Sequence, residues 1–219
     1  MNMSVVMNTK FYYGSGSPFS WAVWLVLEHK QIAYELIVMS LQSGELKEAD
    51  FLSINPHGKV PVIVDADFSL WESLAIIEYL EERYPEYSVF PSNIRERAVA
   101  RRIAAETHTY LYPALRRLLE LTLFRSSGNG NPAEIKLSLK DLGEQLDYFE
   151  NQLQSQYCVS DLSLADFTLY PLLALIKRLE AKQPQHSVTA LIGPKLTTFM
   201  QNIEQLTYFD KTTPPHWKG

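Results

Sequence analysis

The chain lacks most of the features that mark specialised proteins. It has one cysteine, Cys158, in 219 residues, so no internal disulfide can form, and a reducing cytoplasm is the expected home. No apolar run approaches the roughly 18 residues of a membrane span; the longest, Trp21 to Leu27, has the length of a core helix. The opening MNMSVVMNTK carries neither the basic stretch nor the long apolar stretch of a secretory leader. Bases are not in excess either. With 20 Lys and Arg against 25 Asp and Glu, the net charge is −5 and the pI is near 5.6, which argues against a nucleic-acid surface. No internal repeat and no structural-zinc spacing is present, so no metal is expected. What remains, 46% apolar and 21% charged residues, describes a globular chain able to bury a good core.

Up to about Tyr84, strand and helix patterns alternate. KFYYG reads as a short strand, Pro18 to Lys30 as a helix, and YELIVM as a second strand. KVPVIVDADFSLW reads as two strands around an Asp-Ala-Asp turn. ESLAIIEYLEERY then places Leu74, Ile76, Ile77, Leu80 and Tyr84 at helical spacing before Pro85. This order predicts a small mixed sheet with helices packed on it.

Strand signals fade after the two-proline stretch PEYSVFPSN. Ile94 to about Arg125 reads as one long helix kinked at Pro113, and SSGNGNP as a loop. Further helices are expected over Ala133 to Gln154, Ser163 to Ala181 and roughly Pro194 to Leu206, with the tail FDKTTPPHWKG extended over the surface. The expected organisation is an α/β domain over residues 1–85, a linker over 86–93 and an all-α domain over 94–219. Inside the helical half, Ser163 and Asp166 have the spacing of a capping box, with Leu162 and Phe167 at the staple positions. Replacing Ser163 by Ala should cost about 1 kcal/mol.

The stretch FYYGSGSPFSWAVWL breaks an apolar run at a Gly/Ser bend and restarts as a helix. A helix N-terminus facing a strand end suits an anion or a thiolate, and it is equally the look of any strand-to-helix link. Pro18 fits the first helical turn, which puts Ser17 at the N-cap with its hydroxyl at the positive end of the helix. A phosphate cradle is excluded, because no Gly-Lys-Ser/Thr follows GSGS.

Three pieces stand in order: GSGSPFSWAVWLVLE, NPHGKVPVI and LWESLAIIEYL. Together they resemble the N-terminal, thioredoxin-like domain of cytosolic glutathione transferases, and SLAD resembles the helix cap of that family's second domain. The resemblance covers essentially the whole chain. It implies the two-domain glutathione transferase fold, glutathione as co-substrate and a hydrophobic electrophilic small molecule as acceptor. It also implies a homodimer, a role such as detoxification, and neither nucleic acid nor membrane as partner.

Carried over residue by residue, the resemblance to serine-using members, similar to the tau and zeta types, makes Ser17 the donor to the glutathione thiolate. Ser15 and Tyr12 are its rivals. A free thiol has a pKa near 8.5. Lowering it by about 2 takes roughly 2.7 kcal/mol, an energy that a hydroxyl and a helix end together supply. The family pattern implies a cis Val60–Pro61 bond, which turns the Val60 N–H and C=O toward a peptide that pairs like an added strand. Lys59 is in reach of the same ligand. Glu72 and Ser73 open the next helix and suit the γ-glutamyl end, the carboxylate meeting free N–H groups and the ammonium meeting Glu72. Lys47 matches a basic residue that holds the glycyl carboxylate, although Leu46 replaces the histidine often found before it. Under this architecture the acceptor pocket lies between the domains, with Phe19, His108, Tyr110 and Tyr112 as candidates.

Conjugation of glutathione to an electrophile is the leading function. The alternatives are a glutathione-dependent isomerase or peroxidase of the same family, and a non-catalytic binding or regulatory protein. SPFSW lacks the Ser-Ser-Cys signature of the zeta-type isomerases. A thiol–disulfide oxidoreductase is disfavoured, because the first helix opens with Ser17 rather than cysteine.

Overall fold

Alternation sets the first strand. In β1 (Thr9–Gly14), Thr9, Phe11 and Tyr13 are buried while Lys10 is exposed and Tyr12 half-buried, as the two-residue repeat of a strand demands. The computed structural model describes residues 9–125 and 130–217. These form two units, residues 9–89 with 207–217 and residues 90–206.

In the first unit, α1 (Pro18–His29) follows β1, and β2 (Glu35–Met39) runs parallel to β1. A short α2 (Ala49–Ile54) precedes β3 (Val62–Asp65) and β4 (Phe68–Trp71), and α3 (Ser73–Arg83) closes the order. The sheet order is β2-β1-β3-β4, with β3 antiparallel to both neighbours. Helix α2 is not among the elements expected above. With Phe51 its one buried residue, it is too short to leave a helical period in the sequence.

Helix α1 is buried along Ser20 to Leu27, so more than one layer covers it. Its end is anchored by Lys30, whose ammonium lies 2.7 Å from the Glu81 carboxylate and also donates to the carbonyls of Glu86 (3.0 Å) and Tyr87 (3.3 Å). Glu81 in turn accepts from the Val89 N–H at 3.1 Å and from the Ser88 hydroxyl. Burial opposes ionisation of Glu81, but the donors from Lys30, Ser88 and Val89 outweigh it and hold its carboxyl below the ordinary value.

The terminal residues depart from the extended, surface-running tail that was expected. They form α9 (Phe209–Thr212) and a 3-10 turn over Pro215–Trp217, in the first unit and not the helical one. The Phe209 and Trp217 rings pack on Trp21 at 6.0 and 5.3 Å, and Thr212 accepts the Trp21 indole N–H at 3.0 Å. Burying the Phe209 ring and packing Trp217 on Trp21 outweigh leaving the segment in water.

The second unit holds α4 (Ile94–Glu106), α5 (Tyr112–Leu121), α6 (Pro132–Gln152), α7 (Leu164–Lys182) and α8 (Pro194–Glu204). Between α4 and α5 lies a π-helical turn, Thr107–Leu111, where a kinked continuous helix was expected. Pro113 has no N–H for the carbonyl four residues back and its ring crowds that carbonyl, and a widened turn relieves both. Ser126 to Asn129 of the expected loop lie outside the described residues. The capping box forms at Ser163. The Asp166 carboxylate accepts from the Ser163 N–H at 2.7 Å, the Ser163 hydroxyl at 2.9 Å and the Cys158 N–H at 2.7 Å. Among the described residues no helix is long and apolar enough to cross a membrane.

Candidate active site

The end of the sheet where β1 stops gathers most of the candidate residues. Register pairs Tyr12 with Val62 and Val62 with Trp71, so Gly14, Val60 and Glu72 fall at one end of three adjacent strands. Gly14 allows the approach: a Cβ there would sit 2.4 Å from Val60 Cγ2 and 2.8 Å from Leu41 Cδ2. The chain then turns through Gly16, at φ 89°, a conformation that glycine adopts without strain. The Ser17 N–H donates to the Gly14 carbonyl at 2.9 Å and α1 begins.

Ser17 is the N-cap. Its backbone is extended (φ −76°, ψ 119°) and its hydroxyl oxygen accepts the Ser20 N–H at 3.3 Å. The residue is 9% exposed, and among the described residues no acceptor engages its O–H. A hydroxyl can accept and donate at once, so capping leaves the proton available at the positive helix end.

Tyr12 points elsewhere. Its ring packs on Phe51 at 5.8 Å and lines a pocket of about 230 Å³ with Met39, Glu45, Glu48, Asp50, Phe51 and Ile54. Strand alternation puts it on the α2 side of the sheet, opposite Phe11 and Tyr13. Ser15 is half-exposed and its Oγ lies 2.7 Å from His216 Nδ1.

The Val60–Pro61 peptide is cis. Pro61 is buried, Val60 half-buried and Lys59 exposed. Neither the N–H nor the C=O of Val60 has a partner among the described residues. Asn55, 1% exposed, braces this loop by donating to the Lys59 carbonyl at 2.7 Å and accepting the His57 N–H at 3.0 Å. Lys47 is exposed, with its ammonium over Gly58, 3.0 Å from where a Cβ would be.

Helix α3 opens without a side-chain cap. Its N-cap Glu72 has φ 68°, a left-handed value uncommon outside glycine and costly for a side chain this size. Ser73, buried, is the first helical residue. The N–H groups of the first turn therefore point out uncapped at the same end of the sheet.

The acceptor candidates are divided between the units. Phe19 is half-buried in α1, whereas His108 and Tyr110 lie in the π-helical turn and Tyr112 opens α5. Tyr110 is 57% exposed; His108 and Tyr112 are half-buried. Burial pushes the His108 imidazole down to about 4, so it is neutral at pH 7.

Sequence reasoning passed over Tyr13, Asn55 and His216. Tyr13 is fully buried, and burial pushes its phenol up to about 12, against a smaller downward pull from Ser15 and the Gly16 backbone. Asn55 was legible inside the Asn-Pro motif. His216 gave no signal, since its partner lies 201 residues away.

Family models fit this geometry. One described as Glutathione S-transferase, N-terminal domain, matches residues 16–83, and one described as Glutathione S-transferase, C-terminal domain, matches residues 108–206. Glutathione S-transferase F10 of Arabidopsis thaliana is 34% identical over 155 residues, 67% of this chain and 71% of that protein. Maleylacetoacetate isomerase of Mus musculus is 29% identical over 186 residues, 82% of this chain and 83% of that protein. A crystal structure of a glutathione S-transferase from the Antarctic clam Laternula elliptica has a TM-score of 0.79 at 29% identity, covering 96% of this chain and 94% of that one. The chain belongs to the glutathione S-transferase family. It is a transferase with that family's fold, a thioredoxin-like α/β unit followed by a helical one.

Proposed function

We propose that the protein binds glutathione at the β1 end of the sheet, holds its sulfur as the thiolate with the Ser17 hydroxyl, and adds that sulfur to an apolar electrophile. The observation that carries this is Ser17 itself, buried at the mouth of α1 with its proton uncommitted. The unpaired Val60 backbone suits the cysteinyl unit, which pairs as a short added strand. The uncapped start of α3 suits the γ-glutamyl carboxylate, and Glu72 its ammonium. Lys47 and Lys59 suit the glycyl carboxylate. Tyr12 is the weaker donor because its ring lies on the α2 side.

In the reaction the thiol proton leaves to solvent. The sulfur lone pair forms the new bond to an electrophilic carbon, and a leaving group departs with its electron pair. At an activated double bond, the neighbouring carbon instead takes a proton from water. Held geometry and thiolate stabilisation carry the rate. Phe19, His108, Tyr110 and Tyr112 are the residues assigned to the acceptor. The reading makes the protein a serine-using member that acts in the cytoplasm as a homodimer.

Isothermal calorimetry of the full chain with glutathione, followed by conjugation to an aryl halide, tests this. Saturable binding and glutathione consumption are expected; no binding at millimolar glutathione would leave a non-catalytic protein. A second reading, a glutathione-dependent isomerase, is favoured by the similarity to the mouse isomerase over 82% of the chain. There the thiolate adds to a double bond, the single bond so made rotates, and elimination restores both alkene and glutathione. Turnover of a cis-alkene without glutathione consumption separates the two.

A further inference from the structure

Two segments of the chain hold the first turn of α1. Its own entrance supplies one set of bonds. The Ser17 N–H donates to the Gly14 carbonyl at 2.9 Å, the Gly14 N–H to Ser20 Oγ at 3.3 Å and the Ser20 N–H to Ser17 Oγ at 3.3 Å. The Trp21 N–H then donates to the Ser17 carbonyl at 3.0 Å. The terminal segment supplies the second hold, through the Trp21 side chain. The indole N–H donates to Thr212 Oγ1 at 3.0 Å, and that hydroxyl donates in turn to the Phe209 carbonyl at 2.9 Å. Trp21 is 2% exposed and Thr212 is fully buried.

Trp21 joins the two holds: its backbone bonds to Ser17, and its ring is fixed by the tail. Ring packing tolerates centroid separations of about 4.5–7 Å, whereas a hydrogen bond sets the indole nitrogen to within about 0.5 Å of its acceptor's ideal distance. Thr212 itself is pinned on both sides in sequence. Before it, Lys211 lies 2.7 Å from Glu28 and Tyr208 lies 2.9 Å from His29; after it, Trp217 packs edge-on against Trp21 at 5.3 Å. Helix ends fray, and a capping serine on a frayed turn carries its hydroxyl away from the place where it meets a ligand atom.

We infer that Thr212 is a positioning residue for the thiolate site. It fixes the Trp21 ring, and through the bond from Trp21 to Ser17 it keeps the first turn of α1 wound, so that the Ser17 hydroxyl stays where the sulfur is held. The inference rests on the glutathione reading above. It adds to that reading a residue from the far end of the chain, which acts through Trp21.

The test measures the thiol pKa of glutathione bound to the full chain, from thiolate ultraviolet absorbance against pH, at a temperature well below the melting point of each variant. Thr212→Val keeps the shape of the side chain and removes its hydroxyl. It should raise the thiol pKa by about half a pH unit, part of the shift that one hydrogen bond to sulfur accounts for. Thr212→Ser, which keeps the hydroxyl, should restore the original value. Trp21→Phe strands no buried donor; it is the variant to read if Thr212→Val does not fold, and it should give the same rise. In the Ser17→Ala background Thr212→Val should add nothing, because its effect passes through the Ser17 hydroxyl. A lower melting temperature with an unchanged thiol pKa in Thr212→Val and in Trp21→Phe overturns the inference while leaving glutathione binding intact. A further rise from Thr212→Val in the Ser17→Ala background also overturns it. Failure of the unaltered protein to bind glutathione overturns this inference and the proposed function together.

Discussion

Gly14 and Val60 meet so closely that a methyl group on Gly14 would lie 2.4 Å from a methyl of Val60. The contact locks the end of β1 to the loop holding the cis Val60–Pro61 bond, and so sets the distance between the α1 entrance and the Val60 backbone. Gly14→Ala should overpack this junction at a cost of about 1–3 kcal/mol and weaken glutathione binding. Adding Val60→Ala removes the opposing methyl and should recover much of the stability. Chemical denaturation and calorimetry on the single and double variants check both.

Lys30 and Glu81 form a buried pair that ties α1 to α3 and to residues 86–89. Glu81→Gln strands a buried ammonium, and the expected loss is about 3–5 kcal/mol. Replacing both partners by apolar residues should cost less than either single change. Because the folded Glu81 carboxyl is held low, its stabilisation is present above the unfolded value of 4.5. It is lost as pH falls through the folded value. Urea midpoints against pH for the protein and for the apolar double variant should diverge on that acidic side.

Asp166 and His108 bias stability in opposite directions. Burial pushes the Asp166 carboxyl up to about 6, against the pull of the Cys158 and Ser163 donors. Its folded form holds a proton that the unfolded chain, near 3.8, has released. The contribution of Asp166 is thus full below about pH 4 and declines as pH rises through about 6. His108, pushed down to about 4 from 6.5, does the reverse. Its contribution is full above about 6.5 and is lost as pH falls toward about 4. Denaturation midpoints between those limits should slope more steeply upward with pH in Asp166→Asn. In His108→Asn the same slope should turn downward.

Local patterns carried much of the fold to the reader of the sequence. Ser-Pro gave the start of α1, Ser163 and Asp166 the cap of α7, and Asp-Ala-Asp the turn between β3 and β4, because each of these acts within four residues. Helix α2 was missed because a six-residue helix with one buried side chain has no period. The π-helical turn was missed because Pro113 announces a disturbance without stating how the backbone absorbs it. The tail was misread because FDKTTPPHWKG looks polar and proline-rich until Trp21, nearly two hundred positions earlier in the chain, is placed beneath it. The same limit applies to the site. Ser17 follows from its own neighbours, whereas Gly14 against Val60 and Ser15 against His216 exist only after folding.

The pKa of the thiol of bound glutathione, compared between the unaltered protein and Ser17→Ala, tests the central claim most directly. The variant should bind glutathione with nearly the same affinity, lose about 1 kcal/mol of stability with its N-cap, and show a thiol titrating at least one pH unit higher, close to that of free glutathione. A thiol that titrates in the variant where it does in the unaltered protein would contradict the account and pass the role to another hydroxyl.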